Sequence, residues 1–447
     1  MPSNNGPLKN LSGQEGEAWF GPRGALPNLV LVSMDAVGAG HLSLYSYDRP
    51  TTPYLQELAR KGLVFNQAIA NSCWTLPCHA SLLTGRDPFG HGASFRYSRL
   101  REGLPTLAQI VKMKGYATAA FVSAPYLMAR YGLNRGFDTY NDRMPVKEKR
   151  TAAEVNQAAW AWLKDHHQRP FFIFLHYFDA HTPYLPPKPF QDLYDTAYTG
   201  EMTGETFANG EQVMKEGGQL SEADRRHLVA LYDGAITYED EQIGLFLKKL
   251  SSLGHSEDTL VVITADHGEA FGEHGFYLHG HGLYEELIKI PLILFDPQGR
   301  GAGRTLSHQV SLADILPTLC DFMGLAIPEG SQGKSQLPYL RDAVPAEDPV
   351  YLYVDRFPML IKKYGPRFDQ DLWALRTETW KYIFSSTGRQ ELYHLKEDPG
   401  EKINLAEHLP QQSAYFHQEL QTAIGETDRS FKESKPWFSS LFSQKKP

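Results

Sequence analysis

Short apolar runs that end in an acid or a turn recur along the first three hundred residues. They are NLVLVSMD (28–35), PFFIFLHYFD (170–179), TLVVITAD (259–266) and KIPLILFDP (289–297). Apolar runs of about four to eight residues between turn signals are typical of strands that are buried on both faces of a parallel sheet. We therefore predict that these segments form the core strands.

Segments with helical spacing of their apolar residues alternate with these strands. They are 52–65, in which Gly62 is placed to end the helix, the first half of 105–123, which ends at Gly115 before another strand, and 152–166, 224–250 and 311–324. Alternating strands and helices predict an α/β fold, in which helices flank a mostly parallel sheet on both faces.

The pattern changes after residue 345. YLYVDR, LWALRTETWKYIFSS and RQELYHL are short strand-like segments separated by turns, and the helix-like PQQSAYFHQELQTAI follows them. We predict a large α/β domain over 1–345 and a small antiparallel α+β subdomain over 346–447 that packs on the sheet edge. The Pro-containing stretch 342–349 is the predicted joint.

Composition narrows the class of protein. The 447 residues are 42% hydrophobic and 21% charged, with a net charge of −8, which disfavours nucleic acid as a partner. No apolar run approaches the roughly 18 residues of a membrane span, and the N-terminus lacks the apolar region of a signal peptide. We expect a cytoplasmic protein, unless a leader has been removed, and the sequence does not indicate an oligomeric state.

Candidate chemistry lies where the predicted strands end. The carboxyl ends of parallel strands share one edge of the sheet, and Asp35, Asp179 and Asp266 each end one. A single acid in this place is ordinarily a helix cap, but three together point to a site. His267 follows Asp266 directly, and carboxylate with imidazole is an ordinary ligand pair for a divalent metal.

Two further stretches carry reactive side chains. CWTLPCHASLLTGR (73–86) contains Cys78, which we interpret as a packed thiol, a metal ligand or a nucleophile, while HYFDAHTPYLPP (176–187) places His181 on a proline-stiffened loop. The three cysteines include no CxxC pair, so neither a disulfide framework nor a structural zinc site is predicted.

These segments, in this order, resemble the sulfatase family of the alkaline-phosphatase superfamily. The matching segments are LVSMDAVGAGHLSLYSYDRPTTPYLQELARKGLVFNQAIA, CWTLPCHASLLTGR, HYFDAHTPYLPP, ITADHGEAFGEHGFYLHGHGLYEELIKIPLIL, SLADILPTLCDFMGL, and LRTETWKYIF with ELYHLKEDPGEKINLA. The resemblance covers nearly the whole chain and implies an alkaline-phosphatase-like fold, with the larger domain as the catalytic one.

The resemblance also implies a role for each matching side chain. Asp35, Asp266 and His267 would hold one divalent cation together with the nucleophile at Cys78. His181 and His279 would face the anionic oxygens of a small ester substrate, and one of them would protonate the leaving group. Arg86 would support the nucleophile loop or touch substrate. Ca²⁺ or Mn²⁺ is the first expectation for the metal, with Mg²⁺ or Zn²⁺ as alternatives.

The chain also departs from the family pattern. Typical sulfatases carry Cys-x-Pro-x-Arg, a tag for oxidation of the cysteine to formylglycine, whereas Ala80 and Leu82 stand at the third and fifth positions here. Cys78 is therefore expected to be formylglycine, an unmodified thiolate or ligand, or catalytically silent. The predicted function is metal-dependent hydrolysis of sulfate esters. The alternatives are hydrolysis of phosphodiesters or phosphonate monoesters, and binding of an anion without turnover.

Overall fold

The computed structural model describes residues 26–96, 98–144, 149–209, 214, 219–341, 343 and 348–430. Its strands are β1 (Asn28–Met34), β2 (Leu63–Ile69), β3 (Ala117–Phe121), β4 (Thr139–Asn141), β5 (Phe171–Tyr177), β6 (Thr259–Ala265), β7 (Ala270–Phe271), β8 (Tyr277–Leu278), β9 (Lys289–Ile290), β10 (Leu292–Phe295), β11 (Arg304–Ser311), β12 (Val350–Val354), β13 (Leu372–Arg376), β14 (Trp380–Ser385) and β15 (Gln390–His394).

The α-helices lie between and after these strands. They are α1 (Pro53–Ala59), α2 (Thr75–Thr84), α3 (Pro88–His91), α4 (Leu107–Met113), α5 (Ala152–His166), α6 (Gly204–Asn209), α7 (Glu222–Ser252), α8 (Glu285–Ile288), α9 (Ile315–Phe322), α10 (Pro358–Tyr364) and α11 (Pro410–Ser430). None of the described helices is long and apolar enough to cross a membrane.

The large sheet has the order β11-β2-β10-β6-β1-β5-β3-β4, with β9 beside β2. Strands β6, β1, β5, β3 and β4 are parallel, and every residue of β1, β5 and β6 is buried. The mostly parallel α/β sheet predicted from the alternating pattern is therefore confirmed.

Three details of the sheet and its helices differ from expectation. The strand predicted over 289–297 is interrupted at Pro291, and its longer part, β10, runs antiparallel to both neighbours. Strands β2 and β11, which pair with each other, carry exposed polar residues and lack the uninterrupted apolar pattern of the core strands. Helix α2 lies in the stretch of cysteines and histidines, for which the sequence analysis predicted no helix.

A four-stranded antiparallel sheet, β12-β13-β14-β15, forms the C-terminal unit. Helix α11 packs on it around buried Trp373, Leu392 and Leu420, which confirms the predicted antiparallel subdomain. The predicted joint at 342–349 lies largely outside the described residues, so the boundary at 345 stays a prediction.

Candidate active site

Three adjacent strands deliver the candidate side chains to one edge of the sheet. In the register, Met34 of β1 is paired with Ala265 of β6 on one side and with Tyr177 of β5 on the other. Asp35 and Asp266 are the next residues along their strands, so their carboxylates meet. The central strands therefore position these two acids, as expected at the carboxyl edge of a parallel sheet.

Asp35, Asp266 and His267 form a compact, fully buried group. One ligand atom from each lies within 4.8 Å of the others. Nε2 of His267 lies 3.3 Å from Oδ2 of Asp266 and 3.8 Å from Oδ1 of Asp35. Two carboxylates and an imidazole therefore converge where no solvent reaches them.

The ligand atoms of Asp35, Asp266 and His267 face one another with lone pairs. Nδ1–H of His267 donates to the Gly268 carbonyl oxygen at 2.8 Å, which leaves the lone pair on Nε2. Within the described part of the chain, this Nε2, Oδ1 of Asp35 and Oδ2 of Asp266 have no hydrogen-bond partner. Lone pairs that face one another in a buried site call for a cation, so these residues fit a divalent metal.

The backbone holds Asp266 in place. Its Oδ1 accepts hydrogen bonds from the amides of Ala36 at 3.0 Å and His267 at 2.8 Å. Ala36 has φ of 62°, a left-handed conformation that costs energy for a residue with a side chain. The turn after β1 therefore stores strain while it directs an amide at a metal-type carboxylate.

Two buried histidines that were not predicted as site residues form hydrogen bonds beside Asp35, Asp266 and His267. His176 Nε2 lies 3.0 Å from Oδ2 of Asp35. Nδ1–H of His79 donates to the Thr75 carbonyl oxygen at 2.8 Å, and its Nε2 accepts from the Ser33 hydroxyl at 2.9 Å. Burial lowers the pKa of both rings to about 4, so both are neutral near pH 7 and act as hydrogen-bonding groups.

Thr75 is the nucleophile-type side chain that the structure places at the carboxylates. It is the first residue of α2, and its hydroxyl donates to Oδ2 of Asp35 at 3.3 Å. The sequence signal for it was available, because Pro77 two residues later is compatible only with the first turn of a helix. The sequence analysis predicted the nucleophile at Cys78 instead.

Cys78, which the sequence predicted as a metal ligand and nucleophile, lies inside the fold and outside the group of Asp35, Asp266 and His267. Its sulfur belongs to none of the ligand groups found among the described residues. The thiol is fully buried, and the backbone amides of Trp74 and Ser72 lie against it. Burial, with Asp266 as a second cause, raises the pKa of the thiol well above its usual value, which keeps it protonated. This environment is that of a packed thiol.

His181 and His279 do come together beside the metal-type group. Their ring centroids are 4.8 Å apart, and the His279 ring lies 4.4 Å from that of His267. Burial lowers the pKa of His279, but the Glu269 carboxylate, 2.9 Å from its Nδ1, outweighs this, and the net pKa is raised. For His181, burial, with the charges of His279 and Lys149, lowers the pKa well below the ordinary value. The two shifts act in opposite directions, so the protonated form is favoured for His279 and the neutral form for His181.

Lys149 secures the loop that carries His181. Its ammonium donates to the backbone oxygens of His181 and Pro183, the latter at 2.6 Å. Burial lowers its pKa to about 8, against the opposing effect of Asp179 and Glu239. No sequence motif marked this lysine, because its partners are backbone atoms 32 and 34 residues away.

Arg86 lies at the other end of α2. Ten helical residues rise about 15 Å, so Arg86, two residues beyond the helix, is far from Thr75. Its guanidinium donates to the Glu329 carbonyl oxygen at 3.2 Å. This contact joins two loops, and the predicted role of Arg86 in supporting the nucleophile loop or touching substrate stays a prediction.

Two further possible ligand groups occur among the described residues: His79 with His176 and Asp266, which shares Asp266 with the first group, and His274 with Glu286 and Glu401 beside the C-terminal sheet. In the group of His274, Lys381 lies 2.5 Å from Glu401, and Glu286 lies 2.7 Å from Nδ1 of His274, so both acids already have partners in the protein. We interpret this group as an ion-pair network between the two units.

Comparison with known proteins gives consistent results. The sulfatase family model matches residues 27–325, and the model described as N-sulphoglucosamine sulphohydrolase, C-terminal, matches 272–429. A Delta 4,5-hexuronate-2-O-sulfatase of Bacteroides thetaiotaomicron is 25% identical and aligns over 85% of this chain and 84% of its own length.

Solved structures share the fold. A protein in complex with its substrate D-glucosamine-2-N,6-O-disulfate superposes with a TM-score of 0.74 and 21% identity, covering 92% of this chain and 99% of its own. The phosphonate monoester hydrolase of Agrobacterium radiobacter gives 0.72 and 22%, covering 90% and 96%.

Proposed function

The chain belongs to the sulfatase family and is a sulfuric ester hydrolase, and we propose that its reaction centre is formed by Asp35, Asp266 and His267. The observation that carries this proposal is the set of three buried ligand atoms for which the described residues supply no hydrogen-bond partner. The neighbouring histidine pair supports it, because an anionic ester bound between the cation and the histidines would meet positive charge on both sides.

We propose one divalent cation per chain. Two carboxylates and one imidazole combine oxygen ligands with a nitrogen ligand, a set that suits Mn²⁺ first, with Ca²⁺, Mg²⁺ or Zn²⁺ as alternatives. When bound, the cation supplies Lewis-acid chemistry that withdraws charge from the sulfate oxygens. His176 holds Oδ2 of Asp35 and so leaves Oδ1 for this role.

His181 and His279 have different roles in proton transfer. Glu269 raises the pKa of His279 and so favours its protonated form, which suits His279 as the donor of a proton to the leaving alcohol oxygen. His181 donates from Nδ1 to the Thr182 carbonyl oxygen at 2.6 Å, so its neutral ring presents Nε2 as an acceptor for the attacking water. The substrate is a small anionic ester whose alcohol part lies outside this constellation.

The proposal does not include formylglycine at Cys78. A hydrate at this position would have to reach the ester from a side chain that packs inside α2 against the amides of Trp74 and Ser72. The sequence departures at Ala80 and Leu82 point the same way.

Hydrolysis of phosphodiesters or phosphonate monoesters is the second candidate. The observation that favours it is the Thr75 hydroxyl at Asp35, because a plain hydroxyl is an ordinary nucleophile for phosphoryl groups. The fold shared with a phosphonate monoester hydrolase supports it as well. Sulfate and phosphate esters differ mainly in charge, so one site geometry serves both. Binding without turnover is less compatible with a site that combines a nucleophile-type hydroxyl with a protonated histidine.

The test is an assay of metal-depleted and Mn²⁺-reloaded protein on an aryl sulfate, an aryl phosphodiester and an aryl phosphonate monoester. We expect turnover of the sulfate that disappears on chelation and returns with Mn²⁺. Turnover of the phosphorus esters alone would select the second candidate. Hydrolysis of none of the three by the reloaded protein would refute both.

A further inference from the structure

A buried side chain of the long helix α7 holds the turn that carries His181. Oε1 of Glu239 accepts hydrogen bonds from the backbone amides of Asp179 and Ala180, at 2.8 and 3.0 Å. Glu239 is fully buried, and the two amides belong to the two residues just before His181. One oxygen atom of α7 therefore fixes the path of the chain as it leaves β5.

The carbonyl groups of the same turn have a different partner. The Lys149 ammonium donates to the backbone oxygens of His181 and Pro183, and it lies 5.4 Å from the centre of the Phe178 ring. The Phe178 ring stacks on the His181 ring, with the two centroids 4.1 Å apart. The imidazole of His181 is therefore held through its backbone and through its ring.

A second side chain on the same face of α7 holds the turn after β1. Tyr232 precedes Glu239 by seven residues, or about two helical turns, so the two side chains lie about 10 Å apart along one face. The Tyr232 hydroxyl donates to the Ala36 carbonyl oxygen at 2.6 Å and accepts from the Gly38 amide at 3.1 Å. The Ala36 amide is itself a donor to Oδ1 of Asp266. One helix thus contacts both the turn beside the proposed cation and the turn of His181.

The proposed reaction places a strict demand on the position of His181. Its Nε2 is the acceptor for the attacking water, and a general base has to lie within hydrogen-bond distance of the proton that it takes. A misplacement of about 1 Å costs on the order of 10²-fold in rate. Loops that carry such groups are positioned by rigid elements of the fold, and α7 is the element that contacts this loop.

We propose that Glu239 is a positioning residue for His181, and that α7 sets the distance between His181 and the turn of Ala36 beside the proposed cation. The inference rests on the function proposed above. Glu239 acts through the place of its Oε1 acceptor and touches no reacting atom.

This role requires a hydrogen-bond acceptor and not a negative charge. Oε1 accepts both hydrogen bonds, whereas Oε2 of Glu239 has no partner among the described residues. Burial, with Asp179 as a second cause, raises the pKa of Glu239 well above its usual value and so favours the neutral carboxyl. Glutamine would keep the acceptor and put its amino group in the place of Oε2. Aspartate would keep the acid, but its shorter side chain would withdraw the acceptor from the two amides.

The experiment measures kcat and KM of Mn²⁺-loaded variants on the ester that the wild type hydrolyses fastest. Glu239→Ala and Glu239→Asp should lower kcat by about 10²-fold and leave KM within about threefold, because the base is misplaced while the anion is still bound. Glu239→Gln should stay within about threefold of the wild type. Glu241→Gln is the matched control, because this half-buried acid of α7 lies about 200° around the helix from Glu239.

A double-mutant cycle with His181→Ala separates positioning from a merely structural role. If Glu239 acts through His181, Glu239→Ala should lower kcat by less than about threefold in the His181→Ala background. A structural role would give the same loss in both backgrounds. Equal losses, or a Glu239→Gln variant as slow as Glu239→Ala, would overturn the inference and leave the proposed function standing.

A further measurement does not depend on turnover. Nδ1–H of His181 donates to the Thr182 carbonyl oxygen at 2.6 Å, so its proton should give a downfield NMR signal that His181→Ala removes. This signal should shift or vanish in Glu239→Asp and stay in Glu239→Gln, while both variants still bind one Mn²⁺ per chain. An unchanged signal in Glu239→Asp would overturn the inference. A wild-type protein inactive on every ester would instead overturn the proposed function, and this inference with it.

Discussion

At the scale of single residues, the pair formed by Glu269 and His279 sets the proton donor of the site. Glu269 is 2% exposed and faces Nδ1 of His279, so it stabilises the imidazolium and raises the pKa of that ring. Since protonated His279 is the active form, kcat/KM should fall as the pH rises through this pKa.

Glu269→Gln removes the charge and keeps the shape. The pKa of His279 should then fall, and the alkaline limb of the kcat/KM profile should move to lower pH. A profile of kcat/KM against pH measures this directly. Glu273→Gln, an exposed acid of the same loop, is the matched control and should leave the limb in place. An unmoved limb in Glu269→Gln would remove His279 from the role of acid.

The three residues that fit a metal ion were predictable from the sequence, and the contacts of Thr75 and His79 were not. The strand pattern was enough to find them, because Asp35 and Asp266 directly follow predicted buried strands and His267 is the next residue. Thr75 and His79 depend on which face of α2 turns to the sheet, and burial of all ten residues of that helix hides the amphipathic signal. Lys149 acts through backbone oxygens that no residue type reveals.

At the scale of elements, the loop after β6 approaches α8 with no space to spare. A Cβ added to Gly268 would lie 2.1 Å from the Glu286 carbonyl oxygen, and the Gly268 amide already donates to the Leu287 carbonyl oxygen at 2.9 Å. This contact fixes the residue whose carbonyl selects the tautomer of His267.

Gly268→Ala should therefore displace the loop, with a destabilisation of about 1–3 kcal/mol and a weaker Mn²⁺ affinity. Chemical unfolding and metal titration measure the two effects. Gly40→Ala, where an added Cβ would meet nothing within 4 Å, is the control and should change stability by no more than about 0.5 kcal/mol. Equal Mn²⁺ affinity in both variants would contradict the proposed fit of this loop.

Elements with a strong hydrophobic periodicity were predicted well. Elements whose direction or polarity depends on neighbouring strands were not. Buried β1, β5 and β6 and the long α7 followed from their patterns. The antiparallel direction of β10 is a property of its pairing with β2 and β6, which are distant in sequence, so a local pattern does not contain it. The polar positions of β2 and β11 are tolerated because these strands lie toward one end of the sheet.

At the scale of the whole molecule, an ion network joins the C-terminal sheet to the loop that follows the active-site histidines. Glu285 lies 2.9 Å from Arg376 and 3.1 Å from Lys381, which is itself fully buried. Burial opposes the charge of Glu285, but Lys381 and Arg376 hold its pKa below the usual range. A pKa lowered on folding adds stability above the unfolded pKa of about 4.3, and this stability is lost as the pH falls through the folded value.

Glu285→Gln removes the carboxylate that buried Arg376 and Lys381 share, and leaves Lys381 with Glu401 as its remaining anion. We expect a loss of about 3–5 kcal/mol near pH 7 and a flatter dependence of stability on pH in acid. Denaturant unfolding from about pH 2 to pH 7 measures both, because the contribution of Glu285 is lost only below its unfolded pKa. Glu397→Gln, whose side chain is 81% exposed, is the control and should change little. A Glu285→Gln variant as stable as the control would mean that the network contributes nothing to the union of the two units.

The proposed reaction centre requires one divalent cation at Asp35, Asp266 and His267. Calorimetric titration of the metal-depleted protein with Mn²⁺ tests this requirement most directly. The wild type should bind one ion per chain. Asp266→Asn should abolish this binding, because it removes an anionic ligand that has an unpartnered oxygen. Asp179→Asn, a buried acid after the neighbouring strand, should still bind one ion. Equal Mn²⁺ binding by the wild type and Asp266→Asn, or no binding by the wild type, would contradict the account.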